Sequence, residues 1–191
     1  MASGGDIRNY GELGEAIVNQ TSIINFYGGP GTGKSTTAAH TFALLKQVGV
    51  NCEIVNEFAK DKVWEESLAV LNYQMYIFGK QLHRVNRLLG KVDYIVTDAP
   101  ILMSLIYGPH EVPEFHALVR RVYRDMRNID VFLRREKVFN PAGRVQNEKE
   151  AKELDAEIFK MVNTESGGCF YTTPANNASA PYVMDLLGIR V

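Results

Sequence analysis

The sequence predicts an α/β fold, a three-layer sandwich around a mainly parallel sheet. Three observations predict it. Short apolar runs alternate with longer amphipathic stretches; a glycine-rich turn lies between the first run and the first stretch; polar or charged residues follow the later apolar runs. Strands alternating with helices build βαβ units, and such sheets bind ligands outside the carboxyl ends of their strands.

The elements follow in order. After a small, polar start, residues 11–19 read as a short helix, and Ser22–Tyr27 (SIINFY) as a buried strand. Residues 34–48 read as a helix with Ala38, Phe42 and Leu45 on one face, stopped by Gly49. Residues 51–55 form a second strand, and 61–71 and 73–89 two helical stretches. A third buried strand covers residues 92–97, a helix 113–127 and a fourth strand 129–133. Residues 148–162 form a helix with Ala151, Leu154, Ile158 and Met161 on one stripe. Residues 164–180, rich in Gly, Thr, Asn and Ala, read as a loop, and 182–185 as a last strand.

The 191 residues suffice for one domain with a sizeable core. A composition 46% hydrophobic and 23% charged excludes disordered and fibrous classes. A formal net charge of -1 supplies no global field for nucleic acid or anionic lipid, so any such binding needs a local patch. Cys52 and Cys169 form neither a CxxC motif nor a metal-ligand cluster, which favours a reducing compartment. No apolar run approaches the roughly 18 residues of a membrane span. The N-terminus lacks the basic-then-apolar pattern of a signal peptide. The expectation is a soluble, cytoplasmic protein without a membrane partner.

Gly28-Gly29-Pro30-Gly31-Thr32-Gly33-Lys34-Ser35, followed by Thr36, reads G-x-x-x-x-G-K-[ST]. Its glycines let the backbone curl so that successive N–H groups face one anion, and the helix that follows adds its positive dipole end. Lys34 reaches the β- and γ-phosphates in such a cradle, and the Ser35 hydroxyl is placed for Mg²⁺. A glycine-rich turn that binds nothing is the plain alternative, but the flanking strand and helix are those the mechanism requires.

Asp98 ends the third apolar run, where a carboxylate serves the Mg²⁺ shell or the acceptor; capping the next helix is its other reading. Glu57, past the second strand, is a candidate for an acceptor hydroxyl or a metal-bound water, or else a surface carboxylate. Lys80, Arg84, Arg87 and Lys91 fall on one helical face, with Tyr73 and Tyr76 nearby. That stripe is either a solvated face or a track for an anionic acceptor, with the tyrosines stacking on a base. Arg134, Arg135, Lys137 and Arg144 lie on or after the fourth strand, where a closing basic loop would exclude water.

With these residues in place, the chain resembles the P-loop nucleotide and nucleoside kinases, in plan the thymidylate-kinase and ribosylnicotinamide-kinase types. The phosphate loop carries the resemblance. Residues 55–60 (VNEFAK) are similar to an acidic post-strand motif that usually ends in arginine; here it ends in Lys60, which cannot make the same bidentate contact. Thr97-Asp98-Ala99-Pro100 looks like the family's third-strand carboxylate, and residues 139–146 resemble a lid carrying Arg144. The likeness covers residues 22–162 and implies a P-loop NTPase fold with a lid at about 134–150, in one kinase domain spanning 1–191.

The resemblance further implies ATP and Mg²⁺, with Lys34, Asp98 and Arg144 catalytic and Ser35 and Asp98 at the metal. The acceptor would be a hydroxyl or phosphate on a nucleoside, a nucleotide or a modified base in DNA. The last follows small phage kinases that act on 5-hydroxymethyluracil within DNA, with Glu57, Arg84 and Arg87 as acceptor residues. Four cations in a line favour a longer polyanion, so the acceptor expected is a hydroxyl carried on DNA, such as a hydroxymethyl base. A free nucleoside or nucleoside monophosphate is the alternative. A nucleotide is the expected partner and DNA a conditional one. An ATPase or GTPase switch and a non-catalytic nucleotide-binding module are the other readings. No Asn/Thr-Lys-x-Asp signature marks guanine, so ATP is the default. Intact Lys34, Ser35 and Asp98 weigh against a non-catalytic module.

Overall fold

The computed structural model describes residues 21–110, 112–136 and 148–190. The helix expected at 11–19, and Lys137, Arg144 and the rest of the lid between them, lie outside the described residues.

Five parallel strands form the sheet: β1 (Ser22–Tyr27), β2 (Cys52–Val55), β3 (Tyr94–Thr97), β4 (Arg127–Arg134) and β5 (Tyr171–Pro174). Their spatial order is β2-β3-β1-β4-β5, so β1 is central. Ile24 lies opposite Val96 of β3 and Ile129 of β4, and Val55 of β2 opposite Thr97. All six residues of β1 are buried, as a strand covered on both faces requires.

The helices are α1 (Lys34–Gln47), α2 (Phe58–Trp64), α3 (Gln74–Asn86), α4 (Ser104–Tyr107), α5 (Pro113–Arg124), α6 (Glu148–Glu165) and α7 (Ser179–Leu186). Alternation along β1 divides the core. Ile24 and Phe26 face α1 and α7 through Ala38, Leu45, Val183 and Met184. Tyr27 faces α3, α5 and α6 through Phe78, Val119 and Ile158, and Ile23 meets Val85 on the same side. The result is the expected three-layer α/β sandwich.

Three elements differ from the sequence reading. The last strand is Tyr171–Pro174, inside the stretch read as a loop, and residues 182–185 belong to helix α7. β5 is an edge strand paired only with β4; Tyr171 and Thr172 are exposed, so no apolar run marks it. Ala180, Val183 and Met184 are buried at helical spacing against α1, and Val183-Met184 alone looked strand-like. The helix read at 61–71 is α2 followed by a 3-10 turn at Leu68–Asn72, with Glu66 at a positive φ of 55° between them.

Candidate active site

The carboxyl ends of the strands bring the site together. Ordered along the sheet edge, Glu57 follows β2, Asp98 β3, the phosphate loop β1, Arg135 β4 and Ala175 β5. The expectations for Gly28 to Thr36, Glu57 and Asp98 therefore converge on one edge.

In the loop, Gly28 and Gly33 take φ of 142° and 113°, where a side chain is strained. Thr32 is buried and its hydroxyl donates to the Gly29 carbonyl at 2.6 Å. Gly33 leads into α1 without a side-chain cap, and α1 has no acidic residue in its first turn. Ser35 and Thr36 are exposed there. The helix end is thus open to an anion.

Lys34 folds back over the loop, donating to the carbonyls of Gly28 at 2.7 Å and Gly29 at 3.1 Å. Desolvation lowers its pKa, while Glu57, Asp98 and Asp155 oppose that shift and Arg135 adds to it. The ammonium thus feels the charge of three carboxylates and a guanidinium.

Asp98 is 4% exposed and its Oδ1 has no partner among the described residues. The turn and helix that follow carry no side-chain cap, so the capping alternative does not hold. Thr97 braces the strand end: its hydroxyl donates to the Val55 carbonyl at 2.8 Å and accepts from the Ala99 amide at 3.1 Å. Glu57 precedes α2, where the buried Gln81 side chain accepts from the Phe58 amide at 3.0 Å. Burial raises the pKa of Glu57, partly offset by Lys34.

The basic stripe is not the free cationic face that its spacing suggested. Arg84 pairs with Asp61 of α2 and donates to the Asn56 carbonyl at 3.1 Å. Helix α3 ends at Asn86, which leaves Lys91 beyond it, and Arg87 donates to the Arg84 carbonyl at 3.3 Å. The Lys80 ammonium lies 5.4 Å from the Tyr76 ring.

The described surface includes two concavities. One, of about 440 Å³ past β5, is lined by Glu136, Ala175, Asn176, Asn177 and Ala178. The other, of about 610 Å³, lies between the 3-10 turn and α4, with Tyr73, Met75, Tyr76, Tyr107 and Pro109 in its wall. The Tyr107 pKa is pushed up to about 12, by desolvation first, with the Glu57 charge adding to the shift.

Sequence reasoning missed Asp155. It occupies a polar position of an amphipathic helix, yet its carboxylate accepts the Gly29 N–H at 2.6 Å and pairs with Arg135 at 2.7 Å. The contact spans 126 positions, and no local signal announces it.

Among the described residues, no helix is long and apolar enough to cross a membrane. Cys52 is buried, Cys169 exposed, and both are free.

The arrangement matches known proteins in its fold. A deoxyadenosine kinase from M. mycoides with bound dATP superposes with a TM-score of 0.53 at 17% identity, covering 87% of this chain and 99% of that one. An APS kinase from Mycobacterium tuberculosis in complex with AMPPNP and APS gives a TM-score of 0.49 at 15% identity, covering 88% and 98%. Curated proteins give no match. Residues 23–174, which take in the phosphate loop between β1 and α1 and all of the five strands but Ser22, match the AAA domain family, and the chain belongs to that family.

Proposed function

We propose that this protein is an ATP-dependent kinase that transfers the γ-phosphoryl group to a hydroxyl of a small, nucleoside-like acceptor. One observation carries the reading: Glu57 and Asp98 follow β2 and β3 at the sheet edge that holds the phosphate loop, both act electrostatically on Lys34, and Tyr107 in the wall of an aromatic groove feels the Glu57 charge. A hydrolase needs room for a water. A kinase needs a bound acceptor and a carboxylate to receive its proton.

In this reading the loop amides and Lys34 hold the triphosphate. The buried carboxylate with a free Oδ1 and the exposed Ser35 hydroxyl are hard oxygen donors, which suits Mg²⁺, an ion that keeps several waters and takes few protein ligands. Ser35 and Asp98 would hold it, and it would neutralise charge on the phosphate oxygens. Glu57 orients the acceptor hydroxyl and takes its proton. Tyr73, Tyr76 and Tyr107 offer ring faces to a planar base. Arg135, just past β4, supplies positive charge from that side. The single kinase domain over 1–191 and a catalytic Arg144 remain part of the proposal.

A hydroxymethyl base carried in DNA is the acceptor that the sequence reading favours. Arg84, central to that stripe, is engaged with Asp61 and Asn56, which weakens a polyanion track there. The small acceptor is therefore the reading proposed. A transfer assay with labelled ATP separates the two: free nucleosides and monophosphates accept label in our reading. Label on hydroxymethylated duplex DNA alone would overturn it.

The raised pKa of Glu57 fixes a pH dependence. The carboxylate is the active form, so transfer should rise with pH through a value above the usual 4.5. Glu57→Gln should lower transfer by about a hundred-fold and remove that acid limb. A pH–rate profile with the same limb in wild type and variant would assign the limb elsewhere.

A further inference from the structure

We propose that Asp155 is a positioning residue of the phosphate site: its carboxylate ties the Arg135 guanidinium to the Gly29 amide, so that Arg135 offers its remaining donor, Nη1, to a phosphate of the bound nucleotide. The proposal rests on the reading that a nucleoside triphosphate occupies the loop, and on nothing about the acceptor.

The geometry is closed on three sides. Asp155 Oδ1 accepts from the Gly29 amide at 2.6 Å and from Arg135 Nη2 at 3.2 Å. Its Oδ2 accepts from Arg135 Nε at 2.7 Å. Nη2 also donates to the Thr32 hydroxyl at 3.2 Å. The side chains of Arg135 and Asp155 are 10% and 18% exposed, so water screens the pair weakly.

Three features do not fit a plain structural clasp. A carboxylate on a loop built for phosphates repels the ligand that the loop serves, and Arg135 pairs with it directly. A buried ion pair is also a poor source of stability, because desolvation offsets the attraction. Finally, Arg135 Nη1 is buried and has no partner among the described residues. A guanidinium presents five donors in a fixed fork, so a carboxylate that holds one edge aims the other.

The Lys34 ammonium donates to the Gly29 carbonyl at 3.1 Å while the Gly29 amide donates to Asp155, so the ammonium and the pair meet at one loop residue. Gly29 is what allows the approach, since a Cβ there would stand 2.7 Å from Asp155 Oδ1.

The test is a binding cycle on the full chain, with a non-hydrolysable ATP analogue titrated by calorimetry. Asp155→Ala and Arg135→Ala should each weaken binding on the order of ten-fold, the usual effect of one charge-assisted hydrogen bond. The double variant should lose no more than either single one, because Asp155 acts through Arg135. Asp155→Asn keeps the size and an acceptor for Gly29 but not the charge that aims the guanidinium, so it should lose as much as Asp155→Ala. It also serves if the alanine variant fails to fold.

Normal or tighter binding by folded Asp155→Asn would overturn the proposal, as would losses that add in the double variant. The readout needs no acceptor. A protein that transfers phosphate to nothing can still pass this test, and a proven kinase can still fail it.

Discussion

Lys34→Ala is expected to lower phosphoryl transfer by about a thousand-fold or more, in line with the loss of a preorganised charge at a transferring group. The ammonium reaches the Gly28 and Gly29 carbonyls and lies among Glu57, Asp98, Asp155 and Arg135. Its truncation removes the positive charge that a triphosphate meets in the cradle. The fold should survive. Position 34 opens α1, where alanine is well tolerated, and desolvation already makes the buried ammonium costly. Turnover measured beside circular dichroism checks this. Near-normal turnover by a folded variant would remove the phosphate loop from the chemistry.

Asp98→Asn is expected to leave nucleotide binding within a few-fold and to lower transfer by roughly a thousand-fold, the scale of a lost acid–base or metal-supporting carboxylate. Asp98 is buried just past the end of β3, next to the phosphate-loop strand, and among the described residues its Oδ1 has no partner and it caps no helix. The amide preserves size while removing charge and basicity. Single-turnover kinetics separate the steps: binding persists and the chemical step slows. A variant that transfers normally would leave Asp98 a structural carboxylate.

What the sequence made legible followed the range of the interactions. The phosphate loop is local, so eight adjacent residues between an apolar strand and a helix identified it. Asp98 and Glu57 were readable because a parallel sheet collects the ends of its strands on one edge. Helical spacing put Arg84 and Arg87 on a face but could not reveal that Asp61 on α2 takes Arg84. β5 escaped because an exposed edge strand needs no apolar run, and α7 was misread from two adjacent apolar residues that pack on α1. Asp155 was out of reach, because its meaning comes entirely from packing against a loop 126 positions away.

The central claim is transfer to an acceptor rather than to water. The most direct measurement follows the γ-phosphoryl group of labelled ATP and counts its partition between organic acceptors and inorganic phosphate, with and without free nucleosides. The account predicts that a nucleoside captures most of the label and that hydrolysis without one is slow. Label released only as inorganic phosphate, at a rate no acceptor changes, would contradict it and make the protein a hydrolytic switch.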